Sequence, residues 1–333
     1  MSRTMIVVAG ESLIDFVHRP QLSGEGQSGP LYEACPGGSP YNCAIALGRL
    51  QIDVGFLCPL SDDSLGALLM ARLEDSGVTA LMSDLVQAPT SLAVVSLDPE
   101  GSPSYSFYRQ DTADRQLEPA AVTAALPGQV EAFQIGSLAL IEKEDTLSWA
   151  TAMDAAIARG AVVSLDPNVR MRLISDDTDY RARLMAMLHL ADMIKASDED
   201  LDYFYPGLAP EDAIRRAMSE HAISLAVLTR GKEGATAYTA SSLSASRPAK
   251  SFTGDDEEKG DSIGAGDSFQ AGLLAWLKDN AKLTKAGLAA LSEDDLTQML
   301  DFASTIAGLN CAETGCNPPT REQVQGLAQD ESQ

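Results

Sequence analysis

Asp261-Ser-Ile-Gly-Ala-Gly-Asp-Ser-Phe269 is a glycine-rich turn that runs straight into an apolar helix. Phe269, Gly272, Leu273 and Trp276 recur at helical spacing beyond it. A helix N-terminus presents unpaired backbone N–H groups and a partial positive charge. With Gly264, Ala265 and Gly266 ahead of it, an anion can approach the backbone closely. Asp267 then stands beside that anion, placed to take a proton from an attacking hydroxyl. An anion cradle next to a base is the minimum equipment for phosphoryl transfer to an alcohol. The competing reading is a strand-to-helix loop in which Asp267 only caps the helix.

Outward from this turn, short β-branched apolar runs alternate with helical patterns. Strands are predicted over residues 5–9, 55–58, 92–97, 133–135, 162–166, 193–195 and 225–228. Helices are predicted over 42–50, 65–75, 148–159, 181–190, 211–218, 268–280 and 296–310. This alternation implies an α/β fold with a parallel sheet covered on both faces and ligands at the carboxyl ends of the strands. Two segments break it. Residues 18–36 are rich in Gly, Pro, Ser and Gln. Residues 90–109 turn at Asp98-Pro-Glu-Gly101, then alternate in a strand-like way through Ser104-Tyr-Ser-Phe-Tyr-Arg109. Either the two excursions pair as a small sheet that serves as a lid, or they are ordinary surface loops. No repeat or low-complexity linker divides residues 1–333, which read as a single domain.

The balance of 24 basic against 48 acidic residues gives a formal net charge of -24. Such a chain repels polyanions and anionic membrane surfaces, so neither nucleic acid nor membrane is an expected partner. Aromatic residues, at 5%, leave little surface for base stacking. A small phosphate substrate must be held by local donors against this field, which a divalent metal would relieve. Cys35, Cys43, Cys58, Cys311 and Cys316 form an odd set without Cys-x-x-Cys, suggesting neither a disulfide framework nor a zinc site. Free thiols, no signal-peptide shape and no apolar stretch of spanning length make the cytoplasm the expected location. His18, His189 and His221 are scattered, which argues against a histidine-based triad or metal cluster.

Further constellations carry polar chemistry. In Gly37-Gly-Ser-Pro-Tyr-Asn42, paired glycines let a polyol lie against backbone, and Asn42 can donate to and accept from a hydroxyl, or simply cap a helix. Asp15, in Gly10-Glu-Ser-Leu-Ile-Asp15, follows the first strand and can accept from two sugar hydroxyls, or sit in a turn. Arg170, in Asp166-Pro-Asn-Val-Arg170, can meet a phosphate with its fork of donors, or make a structural ion pair. Thr229-Arg-Gly-Lys-Glu-Gly234 reads as a loop that hugs a nucleotide or as a turn between two strands. Gly24-Glu-Gly-Gln-Ser-Gly29 matches a dinucleotide fingerprint, but no strand feeds it and Pro30 follows it, so a nicotinamide-dependent dehydrogenase is set aside. Gly231-Lys232 lacks the rest of a Walker loop. The acidic run Asp255-Asp-Glu-Glu258 reads as a solvated loop.

With these residues in place, the chain resembles the ribokinase-like PfkB family of carbohydrate kinases, from residue 10 to about residue 320. The early Gly-Gly-x-x-x-Asn at positions 37–42 and the late Asp-x-x-Gly-Ala-Gly-Asp at 261–267 carry most of the likeness. Gly10-Glu-Ser-Leu-Ile-Asp-Phe16, Cys35-Pro-Gly-Gly-Ser-Pro40 and Asp166-Pro-Asn-Val-Arg170 look most like fructokinases. The resemblance implies a doubly wound, mostly parallel sheet flanked by helices, with a small β lid built from insertions at about 16–36 and 90–112. It implies ATP and magnesium, and a sugar phosphorylated at a primary hydroxyl, fructose to fructose 6-phosphate being the best match. The same fold serves 2-keto-3-deoxygluconate kinases, ribokinases and nucleoside or aminoimidazole-riboside kinases, and a non-catalytic sugar or nucleotide sensor is the alternative of another class.

The resemblance also assigns residues. Asp267 matches the base, with Gly264, Ala265 and Gly266 as the anion hole. Asp15, Gly37, Gly38, Asn42, Asn168 and Arg170 fall among substrate contacts, and the lid brings Tyr105, Phe107 or Arg109 over the sugar. Ser197, Thr229, Gly231, Gly234 and Ser304 fall at the nucleotide. Ser197-Asp-Glu-Asp200 stands where the family often has Asn-x-x-Glu, leaving Asp200 to order magnesium-bound water. Ile263 replaces a common threonine, and its carbonyl with Asp261 forms the implied potassium site. Pairing of lids between subunits implies a homodimer.

Overall fold

A computed structural model describes residues 4–18, 30–97, 103–252 and 260–330. Its strands, in chain order, are β1 (Met5–Ala9), β2 (Leu13–His18), β3 (Tyr32–Gly37), β4 (Val54–Leu57), β5 (Thr79–Ala80), β6 (Ser91–Leu97), β7 (Pro103–Tyr108), β8 (Val130–Gly136), β9 (Val162–Asp166), β10 (Met193–Ser197), β11 (Leu225–Thr229), β12 (Ala235–Thr239) and β13 (Ser244–Arg247). Its helices are α1 (Ser39–Arg49), α2 (Ser64–Asp75), α3 (Pro119–Ala125), α4 (Lys143–Ala158), α5 (Asp177–Leu188), α6 (Asp198–Phe204), α7 (Pro210–His221), α8 (Ala265–Asp279), α9 (Lys285–Ala289), α10 (Glu293–Cys311) and α11 (Arg321–Asp330).

Among the described residues the strands form two sheets. The larger runs β13-β12-β11-β10-β9-β8-β1-β4-β5 and the smaller β3-β2-β6-β7. The larger is parallel except at its edge, where β12 runs antiparallel to both β11 and β13. Its central strands are short and β-branched because both faces are covered. Side-chain alternation divides them between two cores. Val7 and Ala9 of β1 join Phe133, Val163 and Ile194 under α3, α4, α5, α6 and α7. Ile6 and Val8 join Phe56, Ala132 and Val227 under α1, α2, α8, α9 and α10. Each large apolar side chain so buried contributes about 1.5–3 kcal/mol relative to exposure. Among the described residues no helix is long and apolar enough to cross a membrane.

The strand order reverses at β1, with β4 on one side and β8 on the other. In a doubly wound sheet a ligand crevice opens at such a reversal, beyond the carboxyl ends of the strands. Gly10, Gly136, Asp166, Ser197 and Thr229 all stand at or just past those ends. The smaller sheet begins where the chain leaves β1. In β2, Asp15 lies opposite Cys35 of β3 and Ala93 of β6.

The predicted strands and helices are all present, with ends moved by a few residues. The two excursions do contribute to one small sheet, through β3 and the pair β6–β7, whereas β2, β5, the edge pair β12–β13 and the helices α3, α6, α9 and α11 were not expected from the pattern. Residues 98–101, Gly24-Glu-Gly-Gln-Ser-Gly29 and Asp255-Asp-Glu-Glu258 lie outside the described residues.

Candidate active site

Helix α8 starts on Gly264, whose φ of 73° is left-handed. A β-carbon there would stand 2.4 Å from the Cys316 sulfur, so the position admits glycine alone. The first intrahelical bond runs from Ser268 N–H to the Gly264 carbonyl at 2.8 Å. The N–H groups of Gly266 and Asp267 precede it and belong to the unpaired first turn.

Asp267 does not cap that turn. Its Oδ1 accepts from Ser39 Oγ at 2.6 Å, and its Oδ2 accepts from Asn42 Nδ2 at 2.9 Å. Helix α1 is capped by Gly38, so Asn42 lies inside the helix and spends its side chain on Asp267. Ser39 in turn accepts from Asn168 Nδ2 at 3.1 Å, and Asn168 Oδ1 accepts from Arg170 Nη1 at 2.5 Å. Asp267 is only 8% exposed. Burial pushes its carboxyl above the ordinary range, against the pull of Ser39, Asn42, Lys195 and Arg170.

Asp15 approaches this group from β2. Burial, and then the neighbouring Asp267, push its carboxyl up to about 7. Asp15 and Asn42 share a small cleft with Cys35, Pro36, Ile263 and Cys316. From β7, the Tyr105 phenol is pushed up by burial first and then by the charge of Asp15. Its ring stacks on Phe107, with centroids 6.1 Å apart. Arg109 is committed elsewhere: Nη2 pairs with Asp114 at 3.0 Å and Nη1 donates to the Leu138 carbonyl at 3.3 Å.

Asp166 ends β9 and pairs with Lys195 Nζ at 2.9 Å. Burial raises its carboxyl to about 6, with Lys195 pulling it down. Ser197 and Asp200 form a capping box: Ser197 Oγ accepts from Asp200 N–H at 3.0 Å, and Asp200 Oδ2 accepts from Ser197 N–H at 2.9 Å. Asp200 Oδ1 also accepts from Val169 N–H at 2.7 Å, tying the loop after β9 to α6. Ser197 and Thr229 are register partners at the ends of β10 and β11. The Thr229-to-Gly234 loop is a hairpin connection, with Gly231 at φ 49° and Gly234 at φ 100°. A cleft of about 370 Å³ lies against it, lined by Arg230, Glu211, Thr236 and Ser246. Ser304 is buried in α10. Asp261 accepts from Ile263 and Gly315 N–H groups, both at 2.9 Å, and the Ile263 carbonyl accepts from Asn310 Nδ2 at 2.7 Å.

The structure thus gathers Asp15, Asn42, Asn168, Arg170 and Asp267 at one crevice, and sets Ser197 and Thr229 side by side along its rim. Sequence reasoning missed three contributors. Ser39 was quoted only as part of its motif, yet it touches the carboxylate. Glu11, 2% exposed, accepts from Ser39 N–H at 3.3 Å and Ala139 N–H at 3.0 Å. Lys195 is a charged residue inside a buried parallel strand, and that mismatch was a legible signal.

The sequence matches the pfkB family carbohydrate kinase description over residues 3–323. The chain belongs to the pfkB family of carbohydrate kinases. Fructokinase of Rhizobium leguminosarum bv. trifolii is 36% identical over 296 residues, covering 88% of this chain and 85% of that one. Fructokinase-2 of Solanum lycopersicum is 31% identical, covering 98% of this chain and 96% of that one. Among solved structures, fructokinase from Xylella fastidiosa with bound ATP superposes with a TM-score of 0.84 at 27% identity over 100% of both chains. A double mutant of Vibrio cholerae O395 fructokinase, in fructose-, ADP- and potassium-bound form, gives 0.79 at 25% identity over 98% of both. This pfkB kinase therefore has the ribokinase-like architecture of its relatives, and it is a phosphotransferase by family.

Proposed function

We propose that this kinase transfers the γ-phosphoryl group of ATP to the primary hydroxyl of fructose, giving fructose 6-phosphate. One observation carries the reading. Asp267 sits buried at the open first turn of α8, both of its oxygens held by Ser39 and Asn42. A carboxylate so fixed beside unpaired N–H groups suits removal of a hydroxyl proton as the phosphoryl group arrives. The sugar oxygen attacks the γ-phosphorus and forms the new P–O bond. The bond to the bridging oxygen breaks, ADP leaves with that electron pair, and the hydroxyl proton passes to Asp267. Gly264, Ala265 and Gly266 receive the phosphoryl oxygens.

The sugar lies against Gly37 and Gly38, with Asp15 and Asn42 toward its hydroxyls and Tyr105 and Phe107 closing over it from the small sheet. Arg170 reaches the phosphates after releasing Asn168. Ser197, Thr229, Gly231 and Gly234 line the nucleotide, with Ser304 behind it. Asp200 keeps lone pairs beyond its two backbone bonds, and Asp166 Oδ1 is a buried acceptor without a partner. Such oxygens fit magnesium held through its water shell. Magnesium held there would supply positive charge to offset that of the phosphates. Asp261 and the Ile263 carbonyl face the 310–315 segment, which suits potassium bound largely by backbone oxygens. The five cysteines form no disulfide with one another, which suits a reducing cytosol.

ADP release measured across fructose, ribose, 2-keto-3-deoxygluconate and nucleosides tests the assignment. The highest kcat/KM is expected with fructose. A better acceptor among the others replaces fructose, and sugar binding without any ADP release would make the chain a sensor.

A further inference from the structure

Lys195 is the only lysine or arginine in the buried set among the described residues, at 6% exposure. It lies third in β10, between Ile194 and Ala196, where an apolar residue is the rule. A β-carbon added to Gly266 would stand 3.9 Å from its Nζ, which places the ammonium directly under the glycine turn. Asp166 Oδ2, at 2.9 Å, is its hydrogen-bond partner among the described residues. Asp166 Oδ1 is buried without a partner, so the pair is not a closed ion pair in the core.

The charges around Asp267 make the location matter. Asp15 comes from β2 and Asp166 from β9, with the Cys43 and Cys316 thiols beside them. The charge of Asp200 in α6 acts on both Lys195 and Asp166. Two cations oppose these groups, Lys195 and Arg170. Arg170 is exposed, so water and salt screen it. Lys195 acts through protein, where a charge is felt several times more strongly. Burial works against its own charge, yet Asp166 first, then Asp200 and Asp267, hold the ammonium in place.

We propose that Lys195 is a positioning residue for the phosphoryl-transfer site: anchored by Asp166 beneath the glycine turn, its ammonium offsets the crowded carboxylates and keeps Asp267 able to accept a proton. This rests on the reading of Asp267 as the base.

The test is kcat against pH at saturating fructose and MgATP. In Lys195→Met the acid limb is expected to move up by about one unit, the low end of the range for a lost opposite charge nearby. Turnover then falls by up to about tenfold on the acid side of the shifted limb and recovers at high pH, a recovery that loss of a strand-pairing contact alone would not give. Should Lys195→Met fail to fold, Lys195→Gln is measured in its place. An unmoved acid limb in a folded Lys195 variant overturns the proposal. Asp267→Ala, measured alongside, separates the two readings. If it abolishes turnover while Lys195→Met behaves as wild type, only this inference fails; if it turns over normally, both fail.

Discussion

Asp15 couples sugar binding to pH. Its carboxyl, held up to about 7, is half ionised near neutrality. The ionised form accepts hydrogen bonds from sugar hydroxyls and the protonated form loses an acceptor. The KM for fructose should therefore rise as pH falls from 8 to 6, with kcat changing less; a flat KM would remove Asp15 from the sugar site. Stability runs the other way. A carboxyl whose folded value lies above its unfolded value favours folding most at low pH, and loses that contribution as pH rises from about 4 to about 7. Asp15→Asn should accordingly raise the melting temperature at pH 8 while weakening fructose binding, a stability–function trade-off. A lower melting temperature would contradict this. The chemistry of single residues was legible wherever it rested on local pattern. The glycine turn and Asp267 announced a helix start, and Gly37-Gly-Ser-Pro-Tyr-Asn42 announced another. What remained hidden was their meeting. Ser39 and Asp267 are 228 positions apart, and no local pattern reports a bond across that separation.

At the scale of elements, α8 carries the site and α10 supports it. The two approach so closely that a β-carbon on Gly272 would stand 2.7 Å from the Ala303 α-carbon. That contact is backbone, so a helix must shift to admit it. Gly272→Ala should lower unfolding stability by about 1–3 kcal/mol, the usual range for overpacking, despite alanine's better helix propensity. Thermal unfolding checks this, and a more stable variant would contradict it. Ser304 adjoins Ala303, so the same variant should raise the KM for ATP more than that for fructose. Strand–helix alternation exposed the large sheet because its strands are short, apolar and bounded by helices. Strands β2 and β3 were harder to see. Asp15, His18, Glu33 and Pro36 interrupt any apolar run, because the small sheet is only partly buried. Strands β12 and β13 sit at the sheet edge, where a run such as Ser244–Arg247 needs no apolar core.

For the whole molecule, the candidate site lies between the doubly wound sheet and the smaller sheet. Ligand binding should stabilise the fold by linkage. Fructose at a hundred times its dissociation constant should add about 2.7 kcal/mol to the unfolding free energy, and ribose at the same concentration should add less. Equal shifts with both sugars would contradict a fructose-shaped site. The net charge of -24 repels any polyanion, and inside that field the cradle of α8, Lys195 and Arg170 gathers the local positive potential. The fold's outline was readable from the order of its motifs, whereas the geometry that joins them required the sheet to bring the ends of five strands together.

The most direct measurement is single-turnover phosphorylation of fructose by Asp267→Ala, with fructose and MgATP affinities measured on the same sample. Turnover should fall by on the order of 10²–10⁴, as for a lost general base, while both dissociation constants stay within a few-fold of wild type. Turnover near that of the unaltered enzyme would contradict the assignment of Asp267 as the proton acceptor.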